Sequence, residues 1–225
     1  MSAGLYTELL DLACGTFLLT AVLVLWLREL AAIVRVFALQ GVALAAIAVL
    51  LGAHEQRWDL AGVGLGVGVL RAGVLPYLMR RALAGAAADR GSEEVRETQP
   101  LVNVAASLLT AALLTLLAYA VARPLTQLNP TPATRALPVG LAVVLIGFFV
   151  LVTRRRALAQ VVGFLLLDNG ITATAFLATS GVPLIVELGV SFDVLLAVLV
   201  LQILTTRMRE AFGTTDIDDL RELHD

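Results

Sequence analysis

The chain has no lysine. Its basic side chains are all arginine, apart from the histidines His54 and His224. Cysteine is almost missing too, with Cys14 the single one. One thiol excludes an internal disulfide, an iron–sulfur framework or a cysteine zinc site within the chain. The two histidines fall at opposite surfaces of the predicted layout, so no histidine metal site is expected either. Charged residues make up 15% and aromatics 6%, against 59% hydrophobic residues. No P-loop, Ser/His/Asp set or haem ligand pair can be read, so no catalytic centre, cofactor site or metal site is expected in this chain. The net charge of −2 carries no signal for a partner, and nucleic acid is not expected as one.

What fills the chain is apolar sequence. Its runs repeatedly reach about twenty residues, the length that crosses a bilayer core of roughly 30 Å. Helices of a soluble domain would show a polar face. In lipid a helix satisfies its own backbone groups. The reading is an all-α integral membrane protein, a polytopic bundle of about seven transmembrane helices near 5–27, 31–53, 58–80, 101–123, 137–153, 157–179 and 184–206. Connections as short as His54–Asp59 and Ser180–Pro183 make sequence neighbours antiparallel.

Arginine placement sets the expected orientation. With the C-terminus in the cytoplasm, Arg28, Arg80, Arg81, Arg90, Arg96, Arg154, Arg155, Arg156, Arg207, Arg209 and Arg221 all lie on that side. Only Arg57, Arg123 and Arg135 then face outward. This positive-inside bias predicts an outside N-terminus and a multi-pass protein of the cell inner (plasma) membrane. The first span is not expected to be a cleaved signal, because Glu8 and Asp11 precede or enter the apolar run and Arg28 follows it.

The organisation follows from these spans. A four-helix segment, 1–123, contains a cytoplasmic loop at 81–100; an outward loop at 124–136 leads to a three-helix segment, 137–206, and a tail, 207–225. The stretch PLTQLNPTPATRALP around the outward loop is rich in proline. The tail GTTDIDDLRELHD reads as a short capped helix, either solvated or docking a cytoplasmic partner. Within the third span, Gly62/Gly66 and Gly64/Gly68 have the small-xxx-small spacing that lets membrane helices approach. Close packing is the expected role, and local helix deformation the alternative.

Arg35, Arg71, Asp168, Glu187 and Asp193 fall well inside the spans. Together they would cost roughly 15 kcal/mol if left uncompensated, as much as a typical protein's whole stability. They must be paired, protonated or hydrated. Arg35 is close enough to its span's end to snorkel. Arg71 lies about 14 Å from the nearest end and cannot shed its proton, so it needs a carboxylate or water. Asp168 and Asp193 fall at similar depth on adjacent antiparallel helices, with Glu187 nearer the outer surface. Gln160, Asp168, Thr172 and Thr179 form a polar stripe on the sixth span. Asp193 points about 120° away from Glu187, so these two are stations rather than a dyad. A buried carboxylate near an arginine is pulled both ways and can exchange a proton near neutral pH. Asp168, Glu187, Asp193 and Arg71 are therefore candidates for a proton pathway; static neutralisation is the alternative.

The block RRRALAQVVGFLLLDNGITATAFLATSGVPLIVELGVSFDVLLAVLVLQI resembles component E of hydrogenase-4 and related group 4 membrane-bound hydrogenase (formate hydrogenlyase-like) complexes, with LLDNG and VELGVSFDVL as its specific parts. The last three spans are also similar to the K subunit of respiratory complex I and the C subunit of multisubunit cation/proton antiporters. The buried glutamates of that family would match Asp168 and either Asp193 or Glu187. The resemblance implies a non-catalytic membrane-arm subunit that helps couple redox chemistry to proton or sodium movement. Implied partners are antiporter-like membrane subunits, a quinone-chamber-type subunit, and cytoplasmic hydrogenase-like and iron–sulfur subunits that hold the NiFe and iron–sulfur centres. A purely structural anchor and a stand-alone ion or solute carrier are the competing readings.

Overall fold

The structure, a computed structural model, describes residues 2–81, 103–154 and 157–179. Among them are α1 (Ala3–Trp26), α2 (Leu30–His54), α3 (Trp58–Arg81), α4 (Val104–Leu128), α5 (Pro132–Thr153) and α6 (Ala157–Thr179). The described residues contain no strand, and all six helices are long and apolar enough to cross a bilayer. The protein is an all-α polytopic membrane protein. The seventh span, most of the 81–100 loop, Glu187, Asp193 and the tail lie outside the described residues.

Local sequence explains the helix starts. Ser2 caps α1 by accepting from the Leu5 amide, and Asn103 caps α4 by accepting from the Ala105 amide. At α5, Thr131 and Thr134 form a reciprocal capping box, and Pro132 opens the helix where its missing N–H costs nothing. That start shortens the expected outward loop. Residues 124–136 belong mostly to helices, and the connection between α4 and α5 is only Asn129–Thr131. Pro124 is accommodated inside α4 and Pro138 inside α5. Both lie near the loop-side ends of their helices, where a membrane helix tolerates a lost backbone bond.

Sequence neighbours run antiparallel. Tyr6 near the start of α1 stacks on His54 at the end of α2, ring centroids 3.8 Å apart. Arg154, just past α5, donates to the Val24 carbonyl at 3.1 Å and so satisfies one of the carbonyls that the end of α1 leaves open. Burial pulls the Arg154 guanidinium below its ordinary pKa, and nearby Arg28 adds to the effect. The interior is packed by Phe17, Phe37, Leu44, Ile47, Ile146 and Phe176. Large apolar side chains such as Leu12, Leu65, Leu113 and Leu116 cover the outside, the reverse of a soluble surface. Trp26 and Tyr77 are exposed near one end of the bundle and Trp58 at the other, as aromatic anchors at two interfaces would be.

Two helix pairs approach through glycine. On α5 and α6, a Cβ added at Gly163 would lie 2.6 Å from the Leu151 amide nitrogen, and one at Gly170 2.5 Å from that of Val144. Gly147 faces the Leu167 backbone and Gly140 that of Thr174. The contacts step in opposite directions along the two helices, so one antiparallel seam runs through 140–151 of α5 and 163–174 of α6. Between α2 and α3, Gly64 and Gly68 meet Ala48 and Ala45, each 2.8 Å from an added Cβ. Gly62 and Gly66 have nothing within 4 Å of an added Cβ. The packing role thus falls to one of the two glycine pairs of the third span. The deformation considered as its alternative is also present, because Val69–Val74 winds as a π-helix.

Candidate functional site: a buried ion pair

The widened turn of α3 holds Arg71. A π-turn leaves room that a regular helix does not, and such turns recur at functional sites. Opposite it, α2 presents Gly41, where an added Cβ would lie 2.8 Å from the Arg71 carbonyl carbon and the Ala72 nitrogen. Any larger residue would drive the two backbones apart. The arginine is 1% exposed, the largest side chain among those fully buried.

Its guanidinium faces α6. Nη2 sits 2.8 Å from Asp168 Oδ2 and donates to Thr172 Oγ1 at 2.9 Å, while Nη1 donates to Asn169 Oδ1 at 2.5 Å. Asn169 continues the chain: its Nδ2 donates to Gln40 Oε1 on α2 at 2.9 Å. Gln40 Nε2 in turn reaches the Phe17 carbonyl on α1 at 3.5 Å, which also accepts from Thr20 Oγ1 at 2.8 Å. Four helices are thereby tied by one polar chain in the middle of apolar packing. Gln40, Asn169 and Thr172 are all buried. A polar chain this deep is stable only when its groups are partnered.

The members differ in chemistry. Arg71 is a fixed cation. The amides of Gln40 and Asn169 orient, but do not exchange protons at neutral pH. Asp168 is the one member able to gain and lose a proton. Among the described residues its carboxylate is engaged through Oδ2 alone, and its side chain keeps 11% exposure while Arg71 keeps 1%. The site therefore combines a fixed positive charge with a carboxyl group that, among the described residues, is engaged at one oxygen.

The other residues singled out from sequence lie elsewhere. Gln160 is half-buried and donates to the Arg154 carbonyl at 3.0 Å, away from the Arg71 cluster. Thr179 ends α6, its side chain outside the described residues. Arg35 is exposed, with Nε 3.4 Å from the Ala31 carbonyl, the placement of an interfacial anchor. Sequence reasoning missed Gln40, Gly41 and the bridging part of Asn169. The signal was available: Gln40-Gly41 interrupts the apolar run VFALQGVALAA, and Asn169 stands beside Asp168. Helical angles set Asn169 about 100° from Asp168, which hid their common partner, a forked guanidinium wide enough to meet both.

The chain is 52% identical over 225 residues, the whole of both proteins, to a Mycobacterium tuberculosis protein described as uncharacterized protein Rv0085. It is 33% identical over 115 residues to hydrogenase-4 component E of Escherichia coli, a match covering 51% of this chain and 53% of that one. Hydrogenase-4 component E of Shigella flexneri matches to the same extent. No protein-family profile and no solved structure matches.

Proposed function

Because this chain belongs to one family with Rv0085 and is similar over half its length to hydrogenase-4 component E, we propose that it is a non-catalytic membrane subunit of a hydrogenase-4-like, complex I-related energy-converting assembly. Its contribution is a proton (or sodium) station at Asp168, held against the fixed charge of Arg71. The single observation that carries this reading is the buried Arg71–Asp168 pair, 2.8 Å apart inside a bundle built for lipid. A charge at such depth costs several kcal/mol and is found where ions or protons pass. The pair lets one net charge come and go: with Asp168 ionised the site is neutral, and with Asp168 protonated it is positive.

The likeness of the last three spans to the K subunit of complex I and the C subunit of cation/proton antiporters belongs to this proposal. So do Glu187 and Asp193 as further stations, and the orientation with the N-terminus outside in the inner membrane. Partners are then antiporter-like and quinone-chamber-type membrane subunits, with cytoplasmic hydrogenase-like and iron–sulfur subunits holding the NiFe and iron–sulfur centres. The second reading is a structural anchor, favoured by the polar chain itself, since Asn169 and Gln40 tie helices together whatever the charge on Asp168. A stand-alone carrier is the third.

Asp168→Asn separates them. The proposal expects the assembly intact on a native gel, with coupled ion movement in membrane vesicles reduced at least tenfold. Loss of the assembly would favour the anchor. Normal ion movement would remove Asp168 as a station. Mass spectrometry of what co-purifies with the chain in mild detergent tests the assembly directly, and a chain that purifies only with itself would favour the carrier.

A further inference from the structure

Arg123 and Arg135 are the only charged residues between Asn103 and Thr153, so α4 and α5 carry positive charge and no acid. Arg123 lies near the end of α4 and Arg135 in the first turn of α5, and the short Asn129–Thr131 connection brings them to the same end of the bundle. Both line one recess of about 390 Å³, together with Tyr119, Ala120, Thr126 and Pro138. That size lies within the range of small-molecule sites. Among the described residues the ion pairs are Arg57–Asp59 and Arg71–Asp168, and neither the Arg123 nor the Arg135 guanidinium is engaged. Arg135 also stands at a helix N-terminus, where the peptide dipoles already favour an anion over a cation. Two cations, one of them at the positive end of α5, with no acid on either helix, leave the recess in want of negative charge.

We propose that this recess binds a phosphate-bearing anion, and specifically the headgroup phosphate of an anionic phospholipid. Three features favour the lipid source. The recess opens at the end of a membrane helix, at headgroup depth, since Arg123 is about five residues, roughly 8 Å, from the end of α4. Below it α4 exposes Leu109, Leu113, Leu116 and Leu117, a surface fit for acyl chains. The lining also offers more than charge: the Tyr119 hydroxyl can donate to phosphate, and the Ala120 carbonyl, to which Pro124 cannot donate, can accept from a headgroup hydroxyl. Arginine suits the task because its planar fork meets phosphate oxygens in pairs.

The test uses the full chain purified in mild detergent, with native mass spectrometry against phosphatidylglycerol and phosphatidylcholine. Wild type should retain phosphatidylglycerol preferentially. The variant Arg123→Gln/Arg135→Gln should lose that retention by roughly 30-fold, while Arg123→Lys/Arg135→Lys keeps most of it. Arg57→Gln, which removes an exposed arginine near the same end, serves as a folding and charge control and should retain lipid like wild type. Equal phosphatidylglycerol retention in the wild type and the glutamine variant would overturn the proposal. Unchanged lipid retention combined with loss of a co-purifying protein would overturn it in favour of acidic side chains of a partner. Thermal stabilisation by inorganic phosphate alone, lost in the glutamine variant and not matched by lipid, would reassign the recess to a soluble phosphate.

Discussion

Neutralising Asp168 should cost the fold far more than neutralising an acid on its surface. In Asp168→Asn the shape of the side chain survives, but Arg71 keeps a full charge at 1% exposure. Removing one member of a buried ion pair costs roughly 3–5 kcal/mol. Asn169 Oδ1 and Thr172 Oγ1 remain as acceptors for the guanidinium, which places this change at the low end, about 3 kcal/mol or roughly 150-fold in the folding equilibrium. The assay is unfolding in mixed micelles of dodecyl sulfate and a mild detergent, followed by loss of helical circular dichroism. Pairing the change with Arg71→Gln isolates the interaction itself. Once Asp168 is neutral, removing the stranded cation should cost less than it does in wild type, so the double variant should fall short of the sum of the singles by about 2 kcal/mol. Asp59→Asn breaks the exposed Arg57–Asp59 pair and should leave the unfolding midpoint where it was. Additivity of the two buried changes within about 0.5 kcal/mol would refute the claim that Arg71 depends on Asp168.

Three further outcomes are expected. Gln40→Leu leaves the Asn169 amide without its acceptor in a fully buried place, so the same unfolding assay should show a loss of about 1–3 kcal/mol. Gly147→Ala pushes a methyl group into the Leu167 backbone and should cost about 1–3 kcal/mol, whereas Gly62→Ala, with open space around it, should be neutral or slightly stabilising; equal effects would contradict the seam. In a Cys14→Ala background, Gln56→Cys should react with a membrane-impermeant maleimide on intact cells, and labelling only after permeabilisation would reverse the proposed orientation.

The membrane fold could be read from the sequence because length and hydropathy are strong, local signals. The sixth span, expected at 157–179, is α6 as observed. Proline misled the reading at the α4–α5 connection. Pro124, Pro130, Pro132 and Pro138 look like a loop, yet Pro132 starts a helix and two of the others sit inside one. A proline count does not distinguish a helix breaker from a helix opener; the Thr131 and Thr134 capping pair does. At the site, Arg71 and Asp168 stood out because a charge in lipid is conspicuous one residue at a time. That they meet is a tertiary fact, and no periodicity within either helix contains it. Gln40 and Gly41 were harder, since an uncharged amide and a glycine are unremarkable in a membrane helix until the neighbouring backbone is known. The π-turn has its own faint trace: buried positions Val67, Arg71, Leu75 and Met79 recur in successive steps of four, a spacing that a wider turn keeps closer to one face than 3.6 residues per turn would.

The glycine seam between α5 and α6 has a mechanical consequence. With backbones in contact from Gly140 against Thr174 to Leu151 against Gly163, neither helix can slide or roll past the other by even one residue without driving a side chain into a main chain. The two helices shift as a single strut, and Asp168 is mounted on it. The facing side is built differently. Arg71 rides on a turn whose hydrogen bonding already departs from the regular helix, backed by a glycine on α2. Of the two halves of the ion pair, the carboxylate is carried by the rigid strut, and the arginine by a turn wound differently from the rest of its helix.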